Sequence, residues 1–174
     1  FYGSDDALFC ISKQTYNIVK SVLGEEASEK VIEYVPHGVD HINKFYPITD
    51  DNEEGTALLR RVGEEVLRGN EYDFLVFYNS RNIRRKMTSD VLLAYDHFLK
   101  KLTPEERERC RIVLHTTPVD ENGTDLPAVL RDVVPNVKAI FSDSKVDAKV
   151  LNALYNMADV TINLASNEGF GLGT

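Results

Sequence analysis

Short runs of apolar, β-branched and aromatic residues recur along the chain, separated by stretches in which apolar positions return every three or four residues. The first pattern predicts strands over Ala7 to Ile11, Val31 to Val35, Phe74 to Tyr78, Arg111 to His115, Val137 to Phe141 and Val160 to Leu164. The second predicts helices over Lys13 to Leu23, Thr56 to Arg68, Ser89 to Lys101, Leu126 to Val133 and Lys145 to Met157. Strand and helix alternate nearly throughout, which is the pattern of a parallel sheet with crossover helices, so the fold class is α/β and Rossmann-like.

Local punctuation supports these elements. Ser12 is placed to cap the first helix and Gly24 to stop it, and Ile18, Val19, Val22 and Leu23 supply its apolar positions. Thr103-Pro104-Glu105-Glu106 reads as a short helical start with proline at the first position. Between Pro36 and the helix at Thr56 the chain carries His37-Gly38-Val39-Asp40, the aromatic pair Phe45-Tyr46 and an acidic stretch from Thr49 to Gly55, which reads as a linker over 37–55. The final glycine-rich loop follows a strand without its helix, and the chain opens on Phe1-Tyr2-Gly3 rather than methionine. Truncation at both ends of a longer polypeptide is the expectation.

Charge narrows the choice of partner. The net charge of -8, from 28 acids against 20 bases, argues against a nucleic-acid binder, which carries a basic face. The dense basic run Arg81, Arg84, Arg85, Lys86 is the exception. Cys10 and Cys110 lie far apart in strand-like segments with no metal-binding spacing and are expected to be buried free thiols. No apolar run approaches the roughly 18 to 20 residues of a membrane span, so no transmembrane segment is expected in this fragment. A cytoplasmic location is expected, with membrane association only through parts outside the sequence.

Two constellations could carry chemistry. Arg81 and Lys86 follow the strand Phe74 to Tyr78 and an Asn79-Ser80 turn, in the loop that opens into the crevice of an open α/β sheet. Two cations there can clamp a diphosphate and stabilise charge on a departing nucleotide; the same spacing equally describes a solvated basic loop. The second is Ser166-Asn167-Glu168-Gly169-Phe170-Gly171-Leu172-Gly173-Thr174, in which successive backbone N–H groups form an anion cradle and Glu168 suits sugar hydroxyls. Alone, such a loop reads first as an ordinary turn.

Taken in order, SRNIRRK at 80–86, MADVTINLASNEGFG at 157–171 and VPHGVD at 35–40 with Phe45 and Pro47 resemble the family-four retaining glycosyltransferases of GT-B fold, chiefly their carboxy-terminal nucleotide-sugar-binding domain. His37 stands where that family commonly has Asn. The resemblance implies transfer of a glycosyl group from a UDP-, GDP- or ADP-sugar to a sugar, lipid or protein acceptor with retained anomeric configuration, without cofactor or metal. It implies that Glu168, Arg81 and Lys86 carry the chemistry, Arg81 and Lys86 holding the diphosphate. Ser80, Ser142 and the amides of Gly169, Phe170, Gly171 and Leu172 would complete the donor site, with Ser142 in the place of the glycine near the nucleobase.

By the same resemblance, residues 1–36 are the tail of the amino-terminal acceptor domain and 56–174 an incomplete donor domain. A second family glutamate falls just past Thr174, so the fragment alone is expected to be inactive. The rival readings are a GT-B sugar-nucleotide epimerase and a non-catalytic nucleotide-sugar-binding module. A plain dinucleotide binder is disfavoured because no GxGxxG follows a strand. His37, His41, His97 and His115 are scattered and are expected to be structural or exposed.

Overall fold

Alternate residues of the central strand point to opposite hydrophobic cores, and this places helices on both of its faces. The computed structural model describes residues 2–171. Of these, 2–39 with 168–171 form one compact unit and 40–167 form another.

In the larger unit β3 (Phe74–Asn79), β4 (Cys110–His115), β5 (Ala139–Ser142) and β6 (Val160–Thr161) make a parallel sheet in the order β5-β4-β3-β6. Val76 and Tyr78 of β3, with Ile112 and Leu114 of β4, pack against Val91, Leu92, Tyr95 and Leu99 of α3 (Thr88–Leu99) and Leu126 of α5 (Leu126–Asp132). Leu75 and Phe77, with Val113, face Val62 and Leu67 of α2 (Glu53–Leu67) and Ala153 and Leu154 of α6 (Ala148–Met157) on the other side. The near-continuous apolar run of β3 is therefore the signature of a strand buried on both faces.

Caps set most helix boundaries. The Asn52 side chain accepts from the Gly55 amide at 2.8 Å, so α2 begins three residues ahead of the expected Thr56 and Gly55 lies inside the helix. There it is buried so closely that a β-carbon would meet the Ile48 side chain at 2.7 Å. Asp147 accepts from Val150 at 2.8 Å and starts α6 at Ala148, leaving the expected first turn at Lys145 as loop. Thr103 and Glu106 form the reciprocal capping box of the short α4 (Pro104–Glu108).

The edge strand β6 is shorter than the expected Val160 to Leu164. One further ladder bond, from the Ile162 amide to the Phe77 carbonyl, follows Thr161, and the Asn163 side chain then turns the chain by accepting from the Ala165 amide.

The smaller unit pairs β1 (Ala7–Cys10) with β2 (Val31–Tyr34) in parallel, joined through α1 (Lys13–Leu23). Leu8, Cys10 and Ile32 pack on Val19 and Leu23 of that helix. Ser12 caps it through the Thr15 amide, and Gly24 ends it at φ 58°, where the backbone favours glycine. Cys10 and Cys110 are buried free thiols.

Candidate functional site: the carboxyl edge of the larger sheet

The chain builds β3, β4 and β5 outward in one direction and then returns to lay β6 on the other side of β3. Strand order reverses between β3 and β6. At such a switch point the loops leaving neighbouring strands diverge to opposite faces and open a crevice beyond their carboxyl ends. The segments bordering it here are the loop from Ser80 to Met87 and the stretch from Asn163 to Asn167.

Beyond the half-buried Ser80, Arg81 is exposed and directs its guanidinium to Asp120, with Nε donating to one carboxylate oxygen at 2.9 Å and an Nη to the other at 3.4 Å. Asp120 also accepts from the Asn122 amide at 2.9 Å, which fixes its carboxylate within the loop after β4. Bonding to Arg81, with the Asn122 amide as second cause, holds the Asp120 carboxyl below its ordinary range.

The chain then makes a 3-10 turn over Arg84–Lys86 and enters α3 through Met87 at φ 51°. Lys86 is half-buried, and its main chain is anchored at both ends: its amide donates to the Ile83 carbonyl at 2.9 Å and its carbonyl accepts the Tyr78 hydroxyl at 3.4 Å. That hydroxyl also meets Thr88 Oγ1 at 2.9 Å, tying the head of β3 to the first residue of α3.

Asn82 staples this loop to the next. It is 1% exposed, and its side-chain amide donates to the carbonyls of Thr117, Pro118 and Thr124 at 3.2, 3.3 and 2.6 Å. Its side-chain oxygen accepts from the Thr124 amide at 3.2 Å. The Arg84 amide donates to Asn122, and a methyl group at Gly123 would sit 2.1 Å from the Asn82 carbonyl oxygen. Only glycine permits that approach.

On the β6 side, the Ser166 amide donates to the Arg85 carbonyl at 2.9 Å, and an Arg85 Nη donates to the Asn167 carbonyl at 2.9 Å. The three loops leaving β3, β4 and β6 are thus bound to one another by short polar contacts. Between them lies a cleft of about 830 Å³.

Glu168, Gly169, Phe170 and Gly171 belong to the smaller unit. Glu168 is half-buried. A β-carbon at Gly169 would approach Ile11 to 3.2 Å. The Phe170 ring stands edge-on to His37 at 5.5 Å, and Gly171 adopts φ 85°. Leu172 lies outside the described residues.

Similar architecture occurs in solved structures of carbohydrate enzymes. An alpha,alpha-trehalose-phosphate synthase (UDP-forming) from Burkholderia vietnamiensis matches with a TM-score of 0.59 at 11% identity, over 96% of this chain. An alpha,alpha-trehalose 6-phosphate synthase from Burkholderia multivorans matches at 0.62 and 15% over 94%, and the N-terminal domain of Candida albicans trehalose-6-phosphate phosphatase at 0.64 and 13% over 94%. The fold is of the GT-B type. The chain spans 40% of the length of each of these neighbours. No protein-family model and no curated protein sequence matches it.

Ser142 lies along the same edge of the GT-B sheet as the β3 loop, because Asn79, His115 and Ser142 are register partners across β3, β4 and β5. Sequence reading missed that His115 Nδ1 meets Ser142 Oγ at 3.0 Å. Burial lowers the His115 pKa, partly opposed by a hydrogen bond to the Ser142 backbone, so the neutral ring is favoured. The signal available was that both residues end adjacent strands. Asp120 and Asn82 were missed because their roles depend on pairs 39 and up to 42 residues away.

Among the described residues, no three His, Cys, Asp or Glu side chains are grouped as a metal ion would require, and no helix is long and apolar enough to cross a membrane.

Proposed function

We propose that this chain contributes the nucleotide-sugar-binding part of a family-four-type retaining glycosyltransferase, acting on a UDP-, GDP- or ADP-sugar. The observation that carries the reading is the basic loop of Arg81 and Lys86 at the point where strand order reverses between β3 and β6. A GT-B sheet bearing cations at that position has what a diphosphate requires: fixed positive charge beside a crevice, on a loop whose backbone is already ordered.

In this reading Arg81 and Lys86 grip the diphosphate and stabilise the charge that grows on it as the glycosyl bond breaks. Glu168 accepts from donor-sugar hydroxyls, and the amides of Gly169, Phe170, Gly171 and Leu172 contact sugar or phosphate. Ser80 and Ser142 complete the nucleotide contacts. The family resemblance supplies these roles, and it also supplies retention and independence from metal. The acceptor is a sugar, lipid or protein group.

The test is calorimetric titration of the full-length protein with UDP, GDP and ADP and their sugars, followed by assay of nucleotide release on adding acceptors. Binding of one nucleotide series with turnover supports the reading, and Arg81→Ala or Lys86→Ala removes most of that turnover. Unchanged rates in both variants would exclude the clamp. Nucleotide-sugar binding with no turnover toward any acceptor would instead support a non-catalytic module.

A further inference from the structure

The cleft between these loops does not include the residues assigned to the donor. Its floor and walls come from the 3-10 turn at Arg84–Lys86, the first turn of α3, the β4–α5 loop and Ser166. Arg81, Lys86, Ser80 and Ser142 are not among its lining residues.

The chemistry of this lining selects its ligand. Arg84 and Arg85 contribute two positive charges, and Asp90 and Glu121 contribute two negative ones, so the ionised groups cancel. A di- or triphosphate would meet two carboxylates as well as two guanidiniums and gain little. Among the described residues, no aromatic ring lines the cleft, which leaves a nucleobase nothing there to stack on. Carboxylates accept, guanidiniums donate, and the hydroxyls of Ser89, Thr124 and Ser166 do both. Ile83 and Met87, with the aliphatic parts of their neighbours, supply an apolar share on which the faces of a sugar ring can lie. Dense, neutral, two-way hydrogen bonding is what a polyhydroxylated, uncharged molecule requires.

The walls are also preformed. Asn82 and Gly123 lock the β3 and β4 loops together, and Ser166 is held to the Arg85 carbonyl, so little ordering remains to be done on binding. At about 830 Å³ the cleft is within the range of about 300–1,000 Å³ usual for ligand sites.

We infer that this cleft, bounded by Arg84, Arg85, Asp90 and Glu121, binds a neutral saccharide beside the donor crevice. The inference extends the proposed function by giving the acceptor's carbohydrate chemistry a place outside the amino-terminal domain, and it rests on that reading only for its connection to turnover. Binding itself stands apart from it.

The experiment is saturation-transfer NMR and calorimetry on the intact protein. The probes are glucose, mannose, N-acetylglucosamine and their disaccharides, with inorganic phosphate, glucose 6-phosphate and UDP as anionic probes. At least one neutral saccharide binds, Glu121→Gln alone weakens it, and Asp90→Asn with Glu121→Gln weakens it by roughly tenfold or more, as expected for charge-assisted bonds. Arg81→Ala leaves saccharide affinity unchanged.

Glu121 is exposed and Glu121→Gln is not expected to affect folding, so this single variant reads the site even if Asp90→Asn disturbs α3. No saccharide binding, full binding by Glu121→Gln, displacement by inorganic phosphate or UDP, or an equal loss in Arg81→Ala would each overturn the inference. UDP affinity measured on the same samples reports separately on the donor reading.

Discussion

Arg81 is held by Asp120 at both of its carboxylate oxygens, across the two loops that leave neighbouring strands. The Asp120 side chain is 10% exposed, while that of Arg81 is 61% exposed. An arginine proposed to grip a diphosphate is therefore already drawn out of free rotation, with much of its surface still open to solvent. Asp120→Ala should weaken nucleotide binding several-fold and lower the unfolding midpoint in urea modestly, since it removes the acceptor of the Asn122 amide as well as the partner of Arg81. Tighter binding in that variant would show that the carboxylate competes with phosphate rather than positioning its partner.

Removing Arg81 itself should be more severe. Loss of one charge-assisted contact corresponds to roughly a ten- to hundredfold rise in the nucleotide dissociation constant. Calorimetry on Arg81→Ala and Arg81→Lys separates charge from geometry. Lysine should restore only part of the affinity, because it cannot reproduce a two-point fork.

Asn82 and Gly123 predict a stability effect. Asn82→Ala orphans several main-chain groups at once and should cost about 2–3 kcal/mol. Gly123→Ala forces a methyl group into the Asn82 carbonyl and should cost about 1–3 kcal/mol. Both are read from urea melts. The double variant should lose less than the sum, because the two residues share one contact.

His115 makes stability depend on pH. Its folded-state pKa lies below the ordinary value of 6.5, so between the two values the unfolded chain binds more protons than the folded one. Stability contributed by the neutral ring is complete above about 6.5 and is lost as pH falls toward the lowered value. The thermal midpoint should drop more steeply below pH 6.5 in the natural protein than in His115→Gln. Parallel curves would exclude the histidine as the cause.

Phe170 and His37 test the smaller unit. Phe170→Ala removes the edge-on ring contact at 5.5 Å, and a Phe170→Leu variant keeps bulk without the ring. Nuclear magnetic resonance of the His37 ring should show the loss of ring-current shift in both. An unshifted spectrum would mean the rings do not meet in solution.

Periodicity made the fold legible because its strongest signals are local. The run Phe74 to Tyr78 reads as a strand of large apolar residues, and the structure packs its alternate residues into two cores. Ser12, Gly24 and the Thr103 box were readable since a cap acts within four residues of itself. Boundaries at Thr56 and Lys145 shifted where Asn52 and Asp147 competed for the first free amides.

The position of the Arg81 loop was equally legible, because a loop after the first strand of a doubly wound sheet has one place to go. The partners of that loop were not. Asp120 and Asn82 are set by the conformation of the ten-residue loop 116–125, which leaves no trace in the order of residue types, and the His115–Ser142 pair is set by strand register, hinted at only by both residues ending their strands.

Asn82 and Gly123 have a consequence for anyone who would re-engineer this protein. The segments 80–87 and 116–125 share one hydrogen-bonded hub and behave as a single cassette, although β4 and two helices separate them in sequence. Grafting one without the other would leave a buried amide with nothing to hold. Libraries that aim to redirect specificity should vary the two segments together and leave the hub untouched.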